Sequence, residues 1–197
     1  METRGLLFIP DITGFTTFVT EIELAHSKQI IKELLEILID SNLLRMDISE
    51  VEGDAILFYK MGEVPDVGQI YEQVEKMFCA FHEQIIFFSS NCSCDCRACA
   101  SVTYLTLKII THHGEFTLYD VKNFRKLIGK DVIIAHRLLK NDVPGGEYWL
   151  ITKSLFKEDS PGNYRHWMKW ETSVKETDHG EIHFHFTSLS KLKQGQR

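Results

Sequence analysis

The stretch Leu6–Phe18, LLFIPDITGFTTF, constrains the fold most. Its apolar run Leu6-Leu7-Phe8-Ile9 leads into Pro10-Asp11 and then breaks into Thr13-Gly14-Phe15-Thr16-Thr17. This pattern reads as a buried strand over residues 4–10 that delivers one carboxylate, Asp11, at its C-terminal end and turns tightly into a helix. Loops at strand ends are where α/β folds place ligand chemistry. A second stretch, Ile48–Tyr59, ISEVEGDAILFY, supplies a partner. Met46–Val51 and Ala55–Lys60 read as a hairpin whose turn, Glu52-Gly53-Asp54, puts a carboxylate beside a glycine suited to tight reversal.

The remaining pattern alternates helices with strands. Thr16 or Thr17 is placed to cap a helix, and the spacing from Glu21 to Leu44 is helical, with Ile30, Ile31, Leu34 and Leu38 on one stripe and Lys32, Glu33 and Glu36 opposite. A second amphipathic helix is expected over Gln69–Ser89. Val102–Ile110 reads as a strand closed by His113-Gly114-Glu115, with Glu115–Tyr119 as a paired continuation. Gly129–Lys140 is a helix ended by Pro144-Gly145-Gly146. Tyr148–Thr152 is a short strand, Lys153–Phe156 a helical turn, and residues 165–172 and 181–188 the final strands. Residues 190–197 form a polar basic tail, expected to fray. The order gives an α+β fold with one mixed sheet. Residues 1–156 form its core, and residues 157–197 add C-terminal strands and the tail.

Charge and cysteine content narrow the functions. The chain has 197 residues and a net charge of −6. An acidic chain is poorly suited to general nucleic-acid binding, which needs Lys and Arg to displace counterions. No apolar run approaches the ~20 residues that span a bilayer. Nor does an early stretch resemble a secretory signal, so a cytoplasmic protein with no membrane partner is expected. Four of five cysteines, Cys92, Cys94, Cys96 and Cys99, crowd into one segment, 91–100. Tetrahedral Zn²⁺ accepts four thiolates, or three with a ligand from elsewhere such as His112 or Cys79. Disulfides or free thiols are the other readings of that segment.

Four motifs, in order, carry a family resemblance. FIPDITGFTTF resembles the opening metal motif of class III nucleotidyl cyclases, the adenylyl and guanylyl cyclase catalytic domains. EVEGDAILFY is similar to that family's hairpin with Gly-Asp at its turn. LKIITHHGEF resembles its strand ending in His-x-Gly-Glu, and LIGKDVIIAHRLL its following Gly-x-x-Val-Asn-x-Ala-x-Arg helix. The chain also looks like a divergent bacterial branch of that superfamily, set apart by the Cys-rich segment. The resemblance implies a ferredoxin-like core, its mixed antiparallel sheet covered by helices mainly on one face, working as a homodimer. It implies that Asp11 and Asp54 hold Mg²⁺ or Mn²⁺ with the Ile12 carbonyl. The backbone of Thr13-Gly14-Phe15 would take phosphate oxygens of GTP or ATP, and Arg137 would reach phosphate charge from the second subunit.

The same alignment of motifs exposes departures. The family's ribose-orienting Asn falls on Ile133, which cannot hydrogen-bond. The base-reading positions fall on Glu50, the guanylyl-type residue, and Lys126, which could donate to guanine O6 but would also pair with Glu50. The metal half of the site is intact and the ribose half is damaged. This sets two expectations side by side. One is a domain that binds metal and nucleoside triphosphate, with cyclisation weak or lost. The other is an inactive regulatory or dimerisation module with a structural Cys-bound metal. Single residues have plainer readings too: Asp11 as a cap, Asp54 as a turn residue, Arg137 as an ordinary helix-face arginine, His113 as a hydrogen-bonded structural histidine, and His183 and His185 as packing residues.

Overall fold

The computed structural model describes residues 3–21, 24–91, 97–177 and 180–196. Strand β1 (Thr3–Thr13) lies inside the sheet and explains its own composition. Leu6, Phe8 and Ile12 enter one apolar core, and Leu7 and Ile9 enter a second core on the opposite face. Alternate residues of a strand point to opposite faces, so a strand buried on both sides must be apolar throughout. The strand does not stop at Pro10. It pairs continuously with β4 from Thr3 to Thr13, while its pairing with β3 skips Ile9 and Pro10. Proline has no N–H to give that ladder. Pairing with β3 resumes at Asp11↔Ala55, and the Ile12 N–H donates to the Asp54 carbonyl at 2.9 Å.

Helix α1 (Phe15–Glu21) follows at once, and α2 (Leu24–Asp40) answers to the helix expected over 21–44, ending at Asp40 and not at Leu44. Thr16 and Thr17 sit inside α1 rather than capping it. The end of α2 has a physical cause in the wholly buried Gln73. Its side-chain nitrogen donates to the Ser41 carbonyl at 2.7 Å and its oxygen accepts from the Leu44 N–H at 2.9 Å. Asn42 binds both the N–H and the carbonyl of Met46, closing the turn. Strands β2 (Asp47–Glu52) and β3 (Ala55–Met61) form the expected hairpin, with Gly53 at φ 59° in the left-handed region that favours glycine. Helix α3 (Val67–Asn91) and the short α4 (Arg97–Ser101) follow.

Strand β4 (Thr106–Val121) corrects two sequence expectations. Val102–Tyr104 is a 3₁₀ turn, so the strand begins later than expected. His113-Gly114-Glu115 does not close it, because Gly114 is a point of close approach and not a turn. A Cβ there would lie 2.1 Å from the Asp131 carboxyl carbon. The strand runs on to pair with β5 (Phe124–Ile128), which the sequence reading passed over. Helix α5 (Lys130–Leu139) then crosses over to β6 (Tyr148–Thr152), parallel to β4.

The strand expected at 165–172 is instead irregular up to Glu171. Met168 is buried in the main core, and Trp167 and Trp170 pack against it. The edge strand is β7 (Glu171–Thr177), paired with β8 (Gly180–Ser188). Residues 190–196 form a 3₁₀ stretch in place of a frayed tail. Leu189 is fully buried, Leu192 packs on the core and Lys193 binds Glu147.

The sheet order is β2-β3-β1-β4-β6-β8-β7, with β5 paired to β4. It is a mixed sheet in which β4–β6 is the parallel pair and the other pairings are antiparallel. Residues of α1, α2 and α3 fill the core on one face, and α5 covers the other with Val132, Ala135 and Leu138. Among the described residues no helix is long and apolar enough to cross a membrane.

Candidate functional site

The face covered by α5 holds a cleft of about 640 Å³ whose lining includes Asp11, Asp54, Glu50, Glu52, Lys108 and Arg137. Strand register assembles its floor. Glu52 lies beside Ala55, Ala55 beside Asp11, and Asp11 beside Lys108, so one row across four strands carries two carboxylates and one ammonium. Asp54 enters from the hairpin turn next to the end of β1.

Asp11 is 9% exposed. Burial, reinforced by the charge of Asp54, pushes its carboxyl up to about 6, although Lys108 pulls the other way. The Lys108 Nζ stands 3.4 Å from Asp11 Oδ1. Burial also raises Asp54, opposed by a backbone hydrogen bond and by Lys108. The pair is thus short of positive charge even with Lys108 present. Two adjacent, undercompensated carboxylates suit a hard divalent cation, which takes oxygen ligands and needs only one or two carboxylates when phosphate oxygens complete its shell.

Helix α5 brings Arg137 to the same cleft and is fixed at both ends. At its first turn, Asp131 accepts from the Glu115 N–H at 2.7 Å and meets His112 Nε2 at 2.9 Å. The hydrogen bonds from His112 and Glu115 lower the Asp131 carboxyl despite burial, the largest opposing influence. The other His112 nitrogen is 2.8 Å from Thr152 Oγ1. Both ring nitrogens are therefore engaged, which removes His112 as a ligand for a cysteine-bound metal. His112 is thus a hydrogen-bonded structural histidine, and the His113 imidazole, lowered by burial, hydrogen-bonds the Ser154 backbone in turn. At the other end, the Leu138 carbonyl takes Asn141, the Leu139 carbonyl takes Lys108 at 3.0 Å, and the Lys140 carbonyl takes Lys175. These are the carbonyls a helix leaves without internal partners. Lys108 thus ties the C-terminus of α5 to Asp11.

At the far end of the cleft, Glu50 and Lys126 do meet, Nζ to Oε2 at 2.6 Å. The bulge between Ile48 and Glu50 sets this register. His136 Nε2 lies 3.3 Å from Glu50 Oε1. Ile133 is 48% exposed and lines the same cleft.

Of the other expected site residues, Ile12 buries its side chain in the core, Thr13 ends β1, and Gly14 is the turn into α1, which begins at Phe15. Cys92, Cys94, Cys96 and the side chain of Cys99 lie outside the described residues. Cys79 is half-buried on α3, its thiol raised by burial. The sequence reading missed Lys108, Glu52 and His136. Lys108 had a signal, as a cation set between the apolar Leu107 and Ile109; His136 had none apart from following the cleft-lining Ile133 by three residues.

The architecture is the class III nucleotidyl cyclase catalytic-domain fold. The adenylyl cyclase CyaB from P. aeruginosa matches with a TM-score of 0.69 and 14% identity, over 95% of this chain and 94% of that one. The guanylyl cyclase Cya2 gives 0.68 and 14%, over 95% and 92%. The guanylate cyclase domain of RhGC from Catenaria anguillulae, in complex with GTP, gives 0.61 and 17%, over 95% and 98%. Within that architecture the chain belongs to the family described as a protein of unknown function, DUF2652, whose model matches residues 31–148. An uncharacterized protein of Mycobacterium tuberculosis is 36% identical over 122 residues, 61% of this chain and 56% of that protein, so the match spans about half of that relative.

Proposed function

We propose that the cleft binds a divalent cation, Mg²⁺ or Mn²⁺, together with a nucleoside triphosphate, GTP or ATP, in a domain whose cyclising power is weak or lost. The observation that carries this reading is the convergence of Asp11, Asp54 and Arg137 on one cleft. The two carboxylates would hold the ion with the Ile12 carbonyl, and the ion would supply charge neutralisation for phosphate oxygens. Arg137, a permanently charged planar donor, suits the remaining phosphate charge from within its own chain's cleft, where the resemblance implied a reach from the second subunit. The amides of Thr13, Gly14 and Phe15 lie at the end of the same strand.

Glu50 and Lys126 complement a guanine edge, the carboxylate accepting from N1–H and the amino group and the ammonium donating to O6. A base entering there exchanges the existing Glu50–Lys126 bond for its own. Ile133 offers nothing to a ribose hydroxyl, and that deficit separates binding from cyclisation. The family resemblance makes a second copy of the chain the expected partner.

Calorimetric titration of GTP, then ATP, with Mn²⁺ tests the reading beside Asp11→Asn. Binding in the parent that disappears in the variant is the expected result. Absence of binding in both refutes it.

A further inference from the structure

The base end of the cleft contains a ligand set that shares Glu50 with the nucleotide reading and adds Glu52 and His136, which that reading does not use. Glu50 and Glu52 are two residues apart on β2 and face the same side of the sheet. His136 comes from α5, on the opposite wall. One ligand atom from each of Glu50, Glu52 and His136 lies within 4.8 Å of the others. The contact between His136 Nε2 and Glu50 Oε1, 3.3 Å, is close to the ligand-to-ligand spacing around a tetrahedral ion with bonds of about 2.0–2.2 Å.

Lys126 does not block this set. It holds Glu50 Oε2, while Oε1 is the oxygen turned to His136. A ligating carboxylate is commonly oriented by such an outer partner on its second oxygen. Glu52 is exposed, so its side chain can close the remaining gap.

We infer that Glu50, Glu52 and His136 form a binding site for a transition-metal ion of the Zn²⁺ class, distinct from the Asp11–Asp54 pair. Imidazole with carboxylates selects Zn²⁺ and its neighbours over Mg²⁺, which prefers oxygen alone. Three protein ligands leave a fourth position for water. The inference rests on the cleft geometry and not on nucleotide binding, and its test contains no nucleotide.

Chelator-stripped full-length protein is dialysed to equilibrium against Zn²⁺ and the bound metal is counted. Wild type should bind one ion per chain more than His136→Ala or Glu52→Gln. Reading the count as a difference cancels any ion held by the cysteines. Glu52→Gln changes an exposed side chain, which keeps the test informative if His136→Ala folds poorly. Co²⁺ should give a visible d–d absorption that is reduced in both variants. Equal ion counts in all three proteins would overturn the assignment.

Discussion

Replacing Asp11 by Asn in metal-free protein should raise stability at neutral pH. The folded protein holds this carboxyl near 6, against an ordinary value of 3.8. A folded value above the unfolded one means that the folded state binds the proton more tightly. Ionisation therefore opposes folding, and stability falls as pH rises between those two values. The gap is about two pH units, or about 3 kcal/mol once both states are ionised. Asn is nearly the same size and keeps an oxygen for Lys108, so it removes the charge and leaves the packing. Urea denaturation at pH 7.5 should show Asp11→Asn more stable by about 3 kcal/mol, or roughly 6–12 °C in Tm for a chain of this length. At pH 4.5 the gain should shrink to about 1 kcal/mol, because the folded carboxyl is by then protonated in the wild type. Comparison at matched pH cancels the other titrating groups. Saturating Mn²⁺ should reverse the ranking by stabilising only the wild type. A variant no more stable than the parent at pH 7.5, or a gain independent of pH, refutes the picture of an undercompensated carboxylate.

Lys108→Met should act in opposite directions on two measurements. It should lower stability by about 1–2 kcal/mol, through loss of the Asp11 and Leu139 contacts, and tighten Mn²⁺ binding about tenfold in a titration. His82 lies buried between Phe78 and Phe81, and burial lowers its imidazole to about 4, opposed by Glu147. The unfolded chain then binds the extra proton first, so stability should fall as pH drops from 6.5 towards 4. Denaturation of His82→Leu across that range should show a flatter slope. Ile133→Asn should raise cyclic-nucleotide formation from GTP in a product assay; a variant as silent as the parent would show that the ribose contact is not what limits turnover. If both the nucleotide and zinc sites are as assigned, Zn²⁺ should weaken GTP binding in wild type and not in Glu52→Gln, measured by calorimetry.

Local pattern carried much of the fold. The apolar run at Leu6–Ile9, the Gly53 turn and the helical spacing after Gln69 each impose one structure on their own residues. Failures came where a distant residue decides the outcome. Gln73 ends α2 from the neighbouring helix, and nothing near Ser41 announces it. Gly114 has the local look of a turn, but its lack of a side chain serves Asp131 on α5. The Trp167–Trp170 segment is aromatic in the manner of a strand, yet its side chains pack against the core. In the site, Asp11, Asp54, Glu50 and Arg137 were legible from ordered motifs. Lys108 and Glu52 needed strand register, and His136 needed the helix placed over the sheet. None of those three can be placed by spacing along the chain.

Strand β1 also has a history during synthesis. Its neighbours are β3, complete at residue 61, and β4, complete only at residue 121. At roughly 5–20 residues per second, one long edge of an apolar strand waits roughly 3–12 s for its partner on the ribosome. The N–H missing at Pro10 belongs to the ladder with β3, so it does nothing to blunt the waiting edge toward β4. The charge that interrupts the apolar run on this strand is Asp11, and a charge within such a run discourages pairing with other chains. The carboxylate that weakens the finished, metal-free fold is therefore also the residue that guards the nascent one. Asp11→Asn gains at equilibrium what it gives up in protection before the sheet closes.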